Sequence, residues 1–477
     1  MGMADEFKKG VFYSALGKYS NVVIQLVVTA ILSRILTPQE YGIVAVVNVF
    51  LIFFQMLADF GIGPAIIQNK TLTKYEINSI FGFSIYLALF LGIVFVFLGY
   101  PISIFYSNQV YIPISMVLAV CLFFYGVLVV PQSILLREKK FSTVNMVTIL
   151  ANVASGVVSI VLAFNGFSYY ALIISNTVKA ALLFVVFYFK TDINPQFKLD
   201  TSPLKKIFSF SKNQFLFNFI NYFSRNLDSM LIGRYFSASA LAFYDKAYQV
   251  SLYPNQILTN VISPVIQPIM SEYETDLQKI KTVYLKITTI LASIGLPLSV
   301  FLFFNASEII LFLFGDQWSG SVLPFQILAV SVWVQMISSS TGAIFQSANR
   351  TDLLLLSGIL SAIVTVSAIF IGIFAGKIEY VALMVIIAFS INFVQTIYLL
   401  MYRLFQTNFT EVIKALVKPL IMAALQMVFF FFMPELPFVN FINLLIYGSA
   451  FVVLFGIGLM VTGQMKLLKD VLVKGKK

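Results

Sequence analysis

The sequence predicts an all-α polytopic membrane protein of about fourteen transmembrane helices, and three observations lead there. Of 477 residues, 60% are hydrophobic and only 11% charged, whereas a soluble domain holds roughly 45–50% apolar and about 25% charged residues. Mean hydropathy is +0.93, too high for a chain that must coat itself with water. The apolar residues also gather into runs that reach the roughly 20 residues a helix needs to cross a bilayer. Backbone amides in lipid must be satisfied within the segment, so continuous runs of this length are helices. No stretch is left for a separate soluble domain, which excludes most enzymology.

In chain order, the first six runs fall at about 10–33, 42–67, 77–100, 110–132, 143–164 and 168–189. The first follows Lys8 and Lys9; it is too long for a cleavable signal peptide and lacks a small-residue cleavage site, so it reads as span one. Spans seven to twelve follow at about 207–232, 239–268, 283–304, 321–345, 353–374 and 379–402. Spans thirteen and fourteen lie at about 412–433 and 440–463. The polar connection after span six suggests four parts: an N-terminal six-helix lobe (1–189), a cytoplasmic linker (190–206), a C-terminal six-helix lobe (207–402), and two additional helices with a basic tail (403–477).

Charge sets the expected orientation. With the N-terminus in the cytoplasm, 22 of the 31 Lys and Arg residues fall on that side, and only Arg34, Arg234 and Lys377 fall outside. This asymmetry obeys the positive-inside rule and predicts cytoplasmic termini at both ends. The net charge of +11 sits mostly in short loops between spans. Anionic lipid headgroups are therefore the expected partner, and nucleic acid is not.

Several chemistries drop out. There is one cysteine, Cys121, and no histidine, so no disulfide framework and no metal site are expected. Neither a P-loop nor an HExxH helix occurs, and the TVGYG filter of potassium channels is missing. Neither catalytic residues nor an organic cofactor are predicted. Transport, driven by an ion gradient or by the substrate's own gradient, fits the composition.

An internal repeat emerges at an offset of 200. Arg34 matches Arg234, Asn21 matches Asn221, and Ile62, Pro64 and Ile66 match Ile262, Pro264 and Ile266. Spans one and two thus resemble spans seven and eight. An even number of spans per unit gives parallel repeats, hence two six-helix lobes related by a pseudo-twofold axis along the membrane normal.

Polar residues inside spans are costly, and helical spacing tells which of them share a face. On span seven, Gln214, Asn218, Asn221, Arg225 and Asp228 recur at spacings of 4, 3, 4 and 3. Span one carries Lys18, Asn21 and Gln25, and span six carries Asn176 and Lys179. Asn48, Gln55 and Asp59 mark span two; Gln249, Gln256 and Asn260, preceded by Asp245, mark span eight. One reading is a hydrated cavity, with Lys18, Asn21, Gln25, Lys179, Gln214, Asn218, Asn221 and Arg225 binding substrate. The other is hydrogen-bonding glue between helices, worth about 1 kcal/mol per contact. Asp59, Asp228 and Asp245 either bind a coupling cation, Na+ or H+, or form ion pairs, Asp228 with Arg225 in particular. Lys212, Lys246 and Lys286 lie nearer span ends, where they can snorkel.

Several of these residues also carry a resemblance. Ser33-Arg34-Ile35-Leu36-Thr37-Pro38 followed by Glu40-Tyr41-Gly42 is similar to the segment after the first helix of bacterial polysaccharide repeat-unit flippases. Asp59-Phe60-Gly61-Ile62-Gly63 resembles their second-helix motif, and Asn226-Leu227-Asp228 through Ile232-Gly233-Arg234, with Tyr244 and Ala247, their seventh-helix region. Pro131-Gln132-Ser133, leading to Arg137 and Phe141, resembles the stretch after their fourth helix. The chain also resembles the teichuronic and colanic acid exporters of the multidrug/oligosaccharidyl-lipid/polysaccharide (MOP) exporter superfamily. The resemblance implies two lobes around a cationic cavity, alternating access, and an oligosaccharide linked through pyrophosphate to undecaprenol as substrate. It also implies a polysaccharide polymerase as partner and the bacterial cytoplasmic membrane as location. Two rivals share the membrane: a lipid-linked peptidoglycan-precursor flippase and an ion-coupled multidrug antiporter. The spans hold six cationic residues (Lys18, Lys179, Lys212, Arg225, Lys246, Lys286) against Asp59, Asp228 and Asp245, which disfavours an exporter of organic cations.

Overall fold

The computed structural model describes residues 3–198, 202–271, 276–434 and 436–465, with side chains at all of these except 3–16, 258–271 and some positions between 209 and 225. Among the described residues there is no β-strand, and every predicted span falls on helix. The first half comprises α1 (Met3–Ile35), α2 (Pro38–Asp59), α3 (Ile62–Gln68), α4 (Lys74–Phe105), α5 (Tyr111–Arg137), α6 (Phe141–Phe164), α7 (Tyr170–Phe189), α8 (Ser202–Tyr235) and α9 (Ala238–Ser271). The second half comprises α10 (Leu277–Phe304), α11 (Ala306–Phe314), α12 (Val322–Ala329), α13 (Val332–Ser338), α14 (Thr341–Ser347), α15 (Thr351–Phe374), α16 (Ile378–Tyr398), α17 (Thr410–Phe432) and α18 (Asn440–Val461).

The chain is a multi-pass membrane protein. Among the described residues, ten helices are long and apolar enough to cross a membrane. An eleventh follows if Asp316–Ala329 and Val332–Ser347, bent by 53°, count as one span. The remaining three predicted spans fall on α1, α8 and α9, parts of which lie outside the residues whose side chains are described.

Two compact units divide the chain, Met1–Ala242 and Phe243–Lys477. In the first, α4 packs along α5, α5 along α7, α1 along α6, and α8 against α2, α3 and α4. In the second, α10 packs on α12, α13 and α17, α15 pairs with α16, and α18 lies on α11 and α17. The buried cluster around Tyr284, Leu291, Ile337, Phe345 and Met401 forms the heart of this second unit. The division at 242/243 lies beyond the stretch 190–206 where the sequence suggested a linker.

Residues 190–198 run as a strap across the start of α4. The Asn194 N–H donates to the Asn78 side-chain oxygen at 3.2 Å, and the Gln196 N–H donates to the Asn78 carbonyl at 3.0 Å. A Cβ on Gly82 would lie 1.8 Å from the Gln196 carbonyl oxygen, so only glycine lets the strap lie this close. Ion pairs Lys74–Asp192 and Lys206–Glu76 tie both ends of the connection to α4.

Helix starts are written locally. Thr37 and Glu40 form a capping box at α2 with Pro38 in its first turn, and Thr73 and Glu76 form another at α4. In each, the threonine hydroxyl and the glutamate carboxylate satisfy backbone N–H groups that the first turn leaves orphaned. Glu40 also accepts from the Ser168 hydroxyl, which ties α2 to the turn before α7.

Candidate functional site

The chain between α2 and α3 is broken at Phe60 (φ 40°) and Gly61 (φ 73°), both left-handed. A helix broken inside a membrane exposes backbone groups that need partners. Asp59 supplies one: its Oδ1 accepts from the Gly63 N–H at 3.1 Å. Gly63 is squeezed between Asp59 and α5, since a Cβ there would stand 3.0 Å from both Asp59 Oδ1 and Ser133 Oγ. One turn further along α5, Arg137 Nη2 donates to the Lys70 carbonyl at 2.9 Å and fixes the loop after α3. The contact the structure gives Asp59 is thus a backbone cap.

Helix α8 covers this break. Ser211 Oγ donates to the Gly61 carbonyl at 3.3 Å, and Phe215 lies against Phe60 with ring centroids 4.9 Å apart. Further along, Phe53 of α2 meets Phe219, Tyr222 and Phe223, while the Tyr222 hydroxyl donates to the Val49 carbonyl. At 100° per residue, this aromatic face lies roughly 120° round α8 from the register of the polar stripe. Of that stripe, the side chains of Gln214, Asn221 and Arg225 lie outside the described residues, as does Asn260 on α9. Asn218 is half-buried, and Asp228 is 6% exposed with its Oδ1 accepting from the Ser229 N–H at 2.8 Å.

The other cavity candidates divide. Asn152 Nδ2 of α6 donates to Asn21 Oδ1 of α1 at 2.8 Å, a hydrogen bond between two helices. Lys18 and Gln25 are exposed on α1, and Lys179 is half-buried on α7. Asp245 is half-buried at the start of the second unit. Its neighbour Lys246 does not snorkel as expected: it is 6% exposed, with Nζ 5.2 Å from the Phe314 ring centroid and 5.3 Å from that of Trp318. Burial of the ammonium is offset there by cation–π attraction. Among the described residues, no group of acidic or cysteine side chains could hold a metal.

Two polar seams went unread in the sequence. On α6, Asn145, Thr148, Asn152 and Ser155 recur at spacings of 3, 4 and 3, the signal that would have revealed the face packed on α1. Gly17 and Gly156 allow that approach, since a Cβ on either would lie within 3 Å of Asn145 or Val28. Between α15 and α16, Ser357 bonds Thr396 at 3.1 Å and Asn392 donates to Thr365 at 3.1 Å.

With this architecture in view, comparison with known proteins is direct. Residues 31–323 match the family described as polysaccharide biosynthesis protein. The chain belongs to that family. Within it, the chain is 24% identical to the teichuronic acid biosynthesis protein TuaB of Bacillus subtilis, covering 88% of this chain and 87% of that one. It is 21% identical to the lipopolysaccharide biosynthesis protein WzxC of Escherichia coli, over 78% of this chain and 76% of that one. It is 23% identical to the succinoglycan biosynthesis transport protein ExoT of Rhizobium meliloti, over 78% and 75%. The fold matches the lipid II flippase MurJ with a TM-score of 0.74 at 13% identity, covering 94% of this chain and 98% of that one. An inward-facing MATE multidrug transporter of the MOP superfamily matches at 0.63 and 14% identity, over 86% and 98%. The family-like motifs are read physically as folding devices: a capping box at Thr37–Glu40, a capped break at Asp59–Gly63, and an Arg137 anchor. At Gly42, a Cβ would lie 1.8 Å from the Ala238 carbonyl oxygen, so the motif's glycine permits a close backbone approach.

Proposed function

We propose that this protein is a flippase of the MOP exporter superfamily. It moves polyprenyl-pyrophosphate-linked oligosaccharide repeat units across the bacterial cytoplasmic membrane by alternating access, for the synthesis of an exported polysaccharide. The observation that carries this reading is the family match over 31–323 in a chain of membrane-crossing helices, supported by relatives named for polysaccharide biosynthesis and transport. The role is transport rather than catalysis. A pyrophosphate headgroup asks for cationic partners, which Lys18, Lys179 and Arg225 offer, and sugar hydroxyls suit the amides of Gln25, Gln214, Asn218 and Asn221. The carrier is undecaprenol, a polysaccharide polymerase takes up the flipped unit, and both termini are cytoplasmic. Na+ or H+ bound at Asp59, Asp228 or Asp245 would bias the carrier between its two states; the substrate gradient alone is the simpler drive.

A second reading, transport of a lipid-linked peptidoglycan precursor, is favoured by the fold's likeness to MurJ. Complementation separates the two. The gene should restore surface polysaccharide to a cell lacking its repeat-unit flippase and should fail to sustain a cell depleted of its peptidoglycan-precursor flippase. The reverse pattern would replace the first reading with the second.

A further inference from the structure

On α16, in the second unit, a groove of about 520 Å³ opens beside the start of α17, lined by Ser390, Ile391, Val394, Gln395, Tyr398 and Phe409. Clefts of roughly 300–1,000 Å³ are the usual size for small-molecule sites. The floor is apolar, with Ile391 47% and Val394 55% exposed. Gln395 turns its polarity inward, accepting from Ser361 and donating to the Ser357 carbonyl of α15, both at 3.5 Å. Immediately beyond Tyr398 the chain changes to a π-helical turn, Leu399–Leu404, and then reverses through Gln406 at φ 51°. The Thr407 N–H, donating to the Met401 carbonyl at 2.8 Å, holds that reversal and brings Phe409 round as the groove's far wall. Single π-turns of this kind are uncommon and tend to occur where function needs a helix re-aimed.

The turn sets Tyr402 against Tyr398 with centroids 5.2 Å apart and the rings tilted by 35°, and leaves Arg403 exposed five residues beyond Tyr398. Among the described residues Arg403 forms no ion pair. Lys414, also exposed, follows Phe409 by five residues on α17. The charge distribution puts this end of α16 on the cytoplasmic side, at the depth where tyrosines and arginines meet lipid headgroups.

We propose that this groove binds one anionic phospholipid of the cytoplasmic leaflet, its acyl chain along Ile391 and Val394 and its phosphate at Arg403. The inference stands apart from the identity of the lipid-linked substrate. Bulk lipid would require only the apolar floor; the re-aimed helix end and an exposed guanidinium with no ion pair among the described residues make the site selective.

The test places a photoreactive benzoylphenylalanine at Val394, and separately at Ile363, a lipid-facing control on α15 that is 58% exposed. The full chain is reconstituted in vesicles of phosphatidylglycerol and phosphatidylethanolamine with a trace of undecaprenyl phosphate, irradiated, and its adducts weighed. The ratio of phosphatidylglycerol to phosphatidylethanolamine adducts should be about fivefold higher at Val394 than at Ile363, the preference one interfacial cation supports. Arg403→Gln should bring it down to the control ratio. Equal ratios at the two positions, enrichment that survives Arg403→Gln, or predominance of undecaprenyl phosphate at Val394 would each overturn the proposal.

Discussion

Helices α2–α3 and α9 occupy matching places in the 200-residue repeat, yet one is broken and the other runs unbroken from Ala238 to Ser271. The difference lies in five residues. Asp59-Phe60-Gly61-Ile62-Gly63 holds a capping carboxylate and two glycines, where Thr259-Asn260-Val261-Ile262-Ser263 holds none. Gly61 reaches φ 73° without steric cost, whereas a β-branched valine strongly resists that region. Prolines at 64 and 264 are common to both, so proline does not decide the matter. Two helices at matching places in the repeat read from the sequence thus differ in backbone chemistry. The broken one gained contacts to α5 and α8 that fix its geometry.

Exchanging the decisive residues should break that contrast. Gly61→Val would force a β-branched residue to positive φ, at a strain of about 1–3 kcal/mol. Its largest expected consequence is a lowered midpoint of thermal unfolding in detergent, with repeat-unit export falling in parallel. An unchanged midpoint would mean that the break does not depend on Gly61.

Asp59 sharpens the comparison, because its two possible roles separate by substitution. Asp59→Asn keeps an oxygen for the Gly63 N–H but removes the charge, while Asp59→Ala removes both. If the cap is what matters, the alanine variant loses roughly 1 kcal/mol of stability and the asparagine variant little. If the carboxylate also binds a coupling cation, Asp59→Asn stays stable but turns over slowly, and its rate no longer responds to an imposed Na+ or H+ gradient.

The reciprocal change, Val261→Gly in α9, should have the smallest effect. Glycine in a helix interior costs below about 1 kcal/mol relative to valine by backbone propensity. With no carboxylate at 259 to cap a break, α9 should stay continuous. Hydrogen exchange across 255–268 should change little; a protected-to-open switch there would show that a glycine alone suffices.

The same contrast explains how much the sequence disclosed. Span positions were legible because apolar run length is a local property, and all fourteen predicted runs fall on helix. The capping boxes were present as Thr-x-x-Glu at 37–40 and 73–76, although hydropathy does not register them. The α2–α3 break was hidden for the same reason, since an averaged apolar window passes over two residues of positive φ. The Asn21–Asn152 bond was not legible because its two residues lie 131 apart, and a polar residue facing a cavity has the same spacing as one facing a polar helix. Lys246 looked like a snorkelling lysine because nothing near it in sequence announces Phe314 and Trp318. The strap at 190–198 depends on Asn78 and Gly82, which no composition rule links to it.

The central claim is that cationic side chains on these helices carry a pyrophosphate headgroup across the membrane. The direct measurement is flipping of a fluorescent oligosaccharide-pyrophosphoryl-polyprenol in proteoliposomes by the wild type and by a variant combining Lys18→Gln, Lys179→Gln and Arg225→Gln. The wild type should flip well above empty vesicles, and the triple variant, inserted to the same level, should lose at least about tenfold in rate, the loss of about 1.4 kcal/mol or more from three charge-assisted contacts. Equal rates for the two proteins would contradict the account.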